Sequence, residues 1–147
     1  MRIAIASDHG GFHLKGDLAL LLEEMGYTCH DLGPHNADAV DYPDYARKVA
    51  TAVAEGLYHV GILVCGTGQG MAMTANKVKG IRAAVCQDTY SARMSREHND
   101  ANVLCLGARV VGRGLAADIV KIWLEAEFSE EQRHSRRVAM IQAPEGK

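Results

Sequence analysis

The sequence lacks the features that mark several large classes of protein. No stretch approaches the roughly 18 apolar residues of a membrane span, and the apolar start MRIAIASDHG reaches Asp8 too soon for a signal peptide. The formal net charge of -2 does not indicate a nucleic-acid partner. The four cysteines, Cys29, Cys65, Cys86 and Cys105, form no CxxC pair, which argues against a zinc ribbon or a disulfide framework. We therefore expect a cytoplasmic protein that binds neither a membrane nor nucleic acid.

Hydrophobic residues make up 48% of the 147 residues, which suits one domain, residues 1–147, with one sizeable core. Short apolar runs that end near Gly or Asp predict buried parallel strands at residues 2–7, 27–32, 60–65, 81–86 and 102–107. Amphipathic stretches predict helices at about residues 14–25, 43–56, 89–98 and 113–127, and a last helix that opens at Ser129 through a capping box with Gln132. The alternation predicts a single doubly wound, Rossmann-like α/β domain: a five-stranded parallel sheet with helices on both faces.

The predicted architecture indicates where a ligand should bind. In open parallel sheets the ligand crevice lies beyond the carboxyl ends of the strands, at the point where the strand order reverses. A 2-1-3-4-5 order would put that point between the first and third strands. The loops that follow these strands are SDHGG, which contains Asp8 and His9, and CGTGQG, which contains Cys65 and Thr67. They are the two most chemically unusual loops of the sequence.

The glycine loop, with Gly66, Gly68 and Gly70, is open to three interpretations. It is neither G-x-G-x-x-G nor a P-loop, although Asp88 lies where a ribose-binding acid would be expected in a dinucleotide site. It could instead hold a phosphate, a carboxylate or a developing oxyanion with backbone N–H groups at a helix N-terminus. The same position would stabilise a thiolate at Cys65, whereas the plainest alternative makes that cysteine a small core residue.

The histidines and arginines leave further alternatives. His9 and His13 have the spacing of metal ligands on a helix, but the two glycines between them break the helix, so we expect no metal. His98 ends a predicted helix beside Asn99, and either a plain capping role or a functional role fits.

Arg133 and Arg137 lie one turn apart on the last predicted helix. Like charges at that spacing repel unless an anion lies between them. They form either a solvated face balanced by neighbouring glutamates or a two-pronged clamp on a phosphate, which guanidinium geometry suits.

The pattern as a whole resembles a known family. Seven blocks, spread from Arg2 to about Ile141, resemble the type B ribose-5-phosphate isomerases, a family that includes galactose-6-phosphate and allose-6-phosphate isomerases. The blocks are SDHGGFHLK, VDYPDYA, CGTGQGMAMTANK, GIRAAVC, SREHNDANVL, GARVVG and RHSRRV. The resemblance implies an aldose–ketose isomerase that acts on a small sugar phosphate. It implies no metal or organic cofactor, and a homodimer or a dimer of dimers.

The resemblance also implies a role for each site residue. Cys65 falls on the catalytic base, Thr67 and the following amides on the anion hole, and His98 on the residue that opens the sugar ring. The positions that bind sugar hydroxyls or phosphate correspond to Asp8, His9, Tyr42, Asn99, Arg109, Arg133 and Arg137. The glycine-loop residues Gly66, Gly68, Gln69 and Gly70 are expected to bind the substrate through their backbone amides. Asp8 is also expected to assist proton movement between oxygens. The sequence departs from the family pattern at Gln69, Met71 and Met73, and at Glu131-Gln132 where two glycines are common, which bears on sugar preference.

The helix that ends at His98 is expected to run back toward the amino edge of the sheet, whereas Cys65 lies at the carboxyl edge. A helix of about ten residues is roughly 15 Å long, which keeps the two side chains apart within one subunit. His98 is then either only a helix cap or a residue of a neighbouring subunit's active site, and the resemblance favours the second. The remaining alternatives are a cysteine hydrolase, a non-catalytic nucleotide-binding module and an isomerase of a six-carbon sugar phosphate.

Overall fold

Strands and helices alternate along the whole described chain. The computed structural model describes residues 1–143. The strands are β1 (Arg2–Ser7), β2 (Thr28–Asp31), β3 (Val60–Cys65), β4 (Ala83–Val85) and β5 (Val103–Gly107). The helices are α1 (Phe12–Glu24), α2 (Tyr42–Ala54), α3 (Gln69–Ala75), α4 (Thr89–Glu97), α5 (Arg113–Glu125) and α6 (Gln132–Gln142). Every neighbouring pair of strands is parallel, which confirms the predicted α/β fold.

The strand order differs from the 2-1-3-4-5 order expected from the sequence. The sheet runs β2-β1-β3-β5-β4, so the last two strands have exchanged places. All residues of β5 are buried, whereas the three residues of β4 are only partly buried. The strand with the more continuous apolar run thus takes the central place, where both faces are covered. As a result, the loops after β3 and β5 are neighbours.

Each face of the sheet is covered by its own helices. On one face α1 and α5 pack over Ile3, Ile5, Ile62 and Leu104, and Trp123 of α5 is fully buried there. On the other face α2 and α3 cover Leu63 and Cys105. Within residues 1–143, no helix has both the length and the apolar character to cross a membrane.

The start of α6 is not the capping box expected from the sequence. The helix begins at Gln132, and Glu131 precedes it as the N-cap. The Ser129 hydroxyl accepts from the backbone N–H of Glu131 at 3.2 Å and lies 2.6 Å from Nδ1 of His134. Because Ser129 is engaged by this histidine two residues inside the helix, it cannot cap the helix in the predicted way.

Gly11 allows α1 to start directly against the end of β3. A Cβ atom at Gly11 would lie 2.5 Å from the carbonyl oxygen of Val64. We expect Gly11→Ala to lower the free energy of unfolding by about 1 to 3 kcal/mol, because a backbone atom cannot move aside as a flexible side chain can. The matched control is Gly16→Ala, since a Cβ atom there meets nothing within 4 Å. That variant should be stabilised by about 0.5 to 1 kcal/mol. Urea unfolding measures both, and equal stabilities of the two variants would contradict the packing argument.

Candidate active site

The loop after β1 presents Asp8 and His9. The backbone N–H of Asp8 donates to the carbonyl of Val64 at 3.1 Å, which ties this loop to the end of β3. The Asp8 carboxylate accepts from the N–H of Gly11 at 3.0 Å and is only 9% exposed. Nδ1 of His9 accepts from the N–H of Val40 at 3.2 Å, so in the neutral ring the proton lies on Nε2. These bonds hold both side chains in place before any ligand binds.

Cys65 is the last residue of β3, and the glycine loop curls over its sulfur. The N–H of Gly68 donates to Sγ of Cys65 at 3.1 Å, and the cysteine is 5% exposed. Gly68 has a left-handed φ of 82°, which L side chains rarely adopt and which brings its amide toward the sulfur. Thr67 Oγ1 accepts from the N–H of Gln69 at 3.2 Å, which fixes the next turn of the loop. The geometry provides a thiol with a backbone donor directed at it.

The other three cysteines have a different environment. Burial raises the pKa of Cys29 to about 11, and it also raises the pKa values of Cys86 and Cys105. A raised thiol pKa favours the neutral form at pH 7. These three side chains are therefore neutral thiols, as expected of cysteines that serve only for packing.

The loop after β5 brings Arg109 against the glycine loop and the loop that contains Asp8. The N–H of Arg109 donates to the carbonyl of Gly66 at 3.0 Å, and the N–H of Ala108 donates to the carbonyl of Cys65 at 2.8 Å. The guanidinium lies between the two ligand loops, since Nη2 would be 3.7 Å from a Cβ atom on Gly10 and Nη1 3.6 Å from one on Gly66. The exchange of β4 and β5 makes this contact possible.

Tyr42, the first residue of α2, closes the glycine loop from the other side. A Cβ atom on Gly70 would overlap the Tyr42 ring, so this position tolerates only glycine while the ring stays in place. We call the assembled group the thiol half-site. It consists of Asp8, His9, Tyr42, Cys65, Gly66, Thr67, Gly68, Gln69, Gly70 and Arg109.

The remaining predicted residues form a second group, the imidazole half-site, which consists of His98, Asn99, Arg133 and Arg137. His98 is the C-cap of α4, and its ring stacks on that of His134 with 4.1 Å between the centroids. Asn99 lines a cavity of about 740 Å³ together with Arg82 and Ile141. Arg133 and Arg137 are exposed on α6, where Nε of Arg133 pairs with the Glu131 carboxylate at 2.9 Å.

The two half-sites lie at opposite edges of the sheet. The carbonyl of Asn102, just after the imidazole half-site, accepts from the N–H of Gly61 near the start of β3 at 3.0 Å. Cys65 ends the same strand, so about four residues of extended chain, or roughly 13 Å, separate the two levels. The thiol and the His98 imidazole of one chain therefore do not meet on one small substrate.

Asp88 has a structural role in place of the ribose-binding role considered above. It is the N-cap of α4 and accepts from both the N–H and the hydroxyl of Ser91, at 2.6 and 2.9 Å. These hydrogen bonds lower the pKa of its carboxyl group. Within residues 1–143, no three His, Cys, Asp or Glu side chains are grouped so as to hold a metal ion.

His134 is the one residue near these groups that sequence reasoning missed. It is 4% exposed, and it is the only buried residue that α6 has within the described chain. Burial, followed by the nearby His98 and Arg133, lowers the pKa of His134, although the Glu131 carboxylate acts in the opposite direction. Its neighbours in RHSRR are charged or polar, so only the helical period could have indicated an inward-facing ring.

Comparison with known proteins identifies the family. The sequence profile described as Ribose/Galactose Isomerase matches residues 3–141. The chain belongs to this family. A ribose-5-phosphate isomerase B of Escherichia coli is 50% identical over 144 residues, which cover 98% of this chain and 96% of that protein. A putative sugar phosphate isomerase of Bacillus subtilis is 51% identical over 142 residues, which cover 96% and 95%.

Solved structures of the ribose/galactose isomerase family share the fold described above. The structure of ribose-5-phosphate isomerase B from Clostridium thermocellum superposes with a TM-score of 0.95 at 56% identity. The match covers 97% of this chain and 95% of that one. Fold and sequence thus point to the same family over nearly the whole chain.

The positions at which this family member departs from the usual pattern lie in different environments. Gln69 is exposed in the glycine loop, Met71 is fully buried beneath it, and Met73 is 66% exposed on α3. Glu131 caps α6 and pairs with Arg133, and this ion pair lowers the pKa of its carboxyl group. Gln69 and Glu131 are therefore the departures nearest to the predicted ligand positions.

Proposed function

We propose that this chain is an aldose–ketose isomerase that interconverts ribose 5-phosphate and ribulose 5-phosphate through a cis-enediolate. The observation that carries the proposal is the thiol of Cys65, held at the buried end of β3 with the Gly68 N–H directed at its sulfur. Family membership and the ribose-5-phosphate isomerases B among the similar proteins support the same reaction.

The base in this proposal is the Cys65 thiolate. It removes the proton from C2 of the open-chain aldose, and the electron pair of the C–H bond becomes the C1–C2 double bond as the C1 oxygen takes the negative charge. The proton then returns to C1, while a proton moves from the C2 oxygen to the C1 oxygen, and the ketose results. Backbone amides of residues 66–70 stabilise the enediolate, and donors of this kind contribute about 3 to 4 kcal/mol each. Asp8 holds the sugar hydroxyls and assists the transfer between oxygens.

The ring-opening residue in this proposal is His98 of a second subunit. Opening a furanose requires a proton for the ring oxygen and an acceptor for the hydroxyl proton, which suits an imidazole. Since the two half-sites of one chain lie at opposite edges of the sheet, the complete site needs the thiol half-site of one subunit and the imidazole half-site of another. A symmetric homodimer then contains two such sites, and it needs no metal or organic cofactor.

The phosphate in this proposal binds between Arg133 and Arg137, with Arg109 and His9 on the opposite subunit. The two α6 guanidinium groups lie one helical turn apart and exposed. Substrate phosphate has to replace the Glu131 carboxylate at Arg133. Two charged donors on one phosphate account for a requirement for phosphorylated sugars.

Turnover by the purified wild-type protein tests the reaction and its substrate. We expect the highest kcat/KM on ribose 5-phosphate, measured against allose 6-phosphate, galactose 6-phosphate and unphosphorylated ribose. A higher value on a six-carbon phosphate would reassign the substrate within the family, with Gln69 as the first residue to replace. No isomerisation of any sugar phosphate would refute the proposed activity.

Replacing Arg133 or Arg137 by alanine should raise the KM for ribose 5-phosphate more than it lowers kcat. Loss of one charge-assisted hydrogen bond costs about 1.5 to 3 kcal/mol, which corresponds to roughly a 10- to 100-fold rise in KM. Arg136→Ala is the matched control, because it removes the same charge from α6 at a residue outside the proposed clamp. Steady-state kinetics separates the variants. An equal rise in KM for all three variants would contradict the clamp, because it would mean that α6 attracts the phosphate only through its overall positive charge.

A further inference from the structure

The ring of His98 is supported from one side by a second imidazole. The centroids of His98 and His134 are 4.1 Å apart, and the ring planes are inclined by 30°. Nδ1 of His134 lies 2.6 Å from the Ser129 hydroxyl, so this buried ring is fixed by a hydrogen bond of its own. The N–H of Ser129 in turn donates to the carbonyl of Glu97 at 3.0 Å, which ties the arrangement to the end of α4.

The stack restrains His98 without occupying its nitrogens. Throughout residues 1–143, no group hydrogen-bonds to either ring nitrogen of His98, so its contact with His134 is through the ring face. His98 lies at a helix end, where a half-buried side chain has rotational freedom that a stacked neighbour reduces. A residue that must both give and take a proton needs this combination of a fixed plane and free nitrogens.

The surroundings of His134 favour its neutral form. Groups that face His134 are His98 from α4 and Arg133, Glu131 and Arg137 from α6 and its N-cap. Burial, His98 and the arginines lower the pKa of His134, and only the Glu131 carboxylate raises it. The ring of His134 is therefore neutral around pH 7, so it faces His98 as an uncharged aromatic surface.

We propose that His134 is a positioning residue, a neutral aromatic platform that sets the plane of His98 for ring opening. The inference rests on the proposed isomerase activity and adds a residue that acts on the reaction through His98 alone. His134 is too buried to contact the sugar, and its Nδ1 is engaged by Ser129. His134 therefore acts through the face of its ring, which restrains the plane of the His98 ring.

The test compares His134→Phe, which keeps an aromatic face, with His134→Leu and His134→Ala, which do not. On ribose 5-phosphate we expect the Leu and Ala variants to lose about 10- to 100-fold in kcat, as for a misplaced catalytic group, and the Phe variant to stay within about threefold of wild type. The Leu variant fills the buried space, so it keeps the comparison valid if the Ala variant is unstable. Equal loss in the Phe and Leu variants, or no loss in the Leu variant, would overturn the platform.

Two further measurements separate positioning from other roles. An acyclic phosphorylated hydroxamate that mimics the enediolate needs no ring opening, so calorimetry should give it the same affinity for wild type and His134→Leu. Weaker binding would mean that His134 supports the substrate site itself, against the proposal. If His134 acts only through His98, adding His134→Leu to His98→Ala should not lower kcat on ribose 5-phosphate any further. A further loss of kcat in the double variant would contradict the proposal.

One measurement needs no turnover. We expect the neighbouring ring current to shift the ring-proton resonances of His98 in wild type and in His134→Phe. In His134→Leu they should move toward the values of an unstacked imidazole. Unchanged resonances in His134→Leu would refute the platform whatever the substrate, whereas an inactive wild-type protein would refute only the proposed reaction.

Discussion

Replacing Cys65 by alanine is expected to lower kcat on ribose 5-phosphate by a factor of about 100 to 10,000, the usual loss on removal of a general base. The side chain is small and lies at the end of a buried strand, so alanine preserves the packing of β3. The N–H of Gly68 loses its sulfur acceptor, which should lower the thermal midpoint only slightly. Steady-state kinetics and thermal unfolding on the same sample measure the two effects.

Two further variants sharpen this experiment. Cys65→Ser keeps a small hydrogen-bond acceptor but not an ionisable thiol, so it should be nearly as inactive as the alanine variant. Cys29→Ala is the control, because that residue lies in β2, outside the thiol half-site, and burial raises the pKa of its thiol to about 11. Near-normal isomerisation by Cys65→Ala would exclude the thiolate mechanism. Lost activity in Cys29→Ala would mean that thiol replacement damages the fold in general.

Mixing Cys65→Ala with His98→Ala, each of which retains only a small residual activity, is expected to restore activity to about one quarter of wild type. In random exchange between equal amounts, about half of the dimers are mixed, and one of the two sites in each mixed dimer has both residues intact. The effect follows from the opposite-edge positions of the two half-sites. Activity is followed during exchange, and mass spectrometry of the native proteins measures the fraction of mixed dimers.

The control for this experiment mixes Cys65→Ala with Cys65→Ser, which leaves every site without its thiol and should restore nothing. If mixed dimers form and the Cys65→Ala and His98→Ala pair stays inactive, the shared site is wrong. His98 would then have to act within its own chain after a rearrangement, or serve only as the C-cap of α4.

The sequence predicts most of the sheet because each strand is a short apolar run of its own. It also predicts that the loops with Asp8 and Cys65 lie at one edge, since carboxyl ends of parallel strands share an edge. It does not distinguish the order of β4 and β5, because a helical crossover of the same length serves either order. The difference is one of burial: all of β5 is buried, whereas β4 is only partly so. A local sequence pattern thus predicts whether a segment forms a strand or a helix better than it predicts which strands will be neighbours in the sheet.

Single side chains were harder to predict where two partners compete for them. Ser129 fits a capping box on spacing, yet its hydroxyl bonds to the ring of His134, five residues further along the chain. Asp88 fits a ribose-binding acid on spacing, yet Ser91 is close enough to occupy its carboxylate. His134 lies in a charged run, and its burial depends on α4, which is distant in sequence. Nearby competing partners decide the first two cases, whereas the burial of His134 depends on the packing of α6 against the end of α4.

The position of β5 in the sheet also has a consequence for biosynthesis. During translation β4 leaves the ribosome before β5, which is its only partner within the described sheet. Until residues 103–107 have emerged, β3 has an open edge, and β4 has no native neighbour to pair with. The nascent chain therefore exposes unpaired edges of β3 and β4, which can associate wrongly with each other or with another chain. Once β5 has formed between β3 and β4, the loop that follows it brings Arg109 against the glycine loop. The thiol half-site is therefore completed only after the sheet is complete.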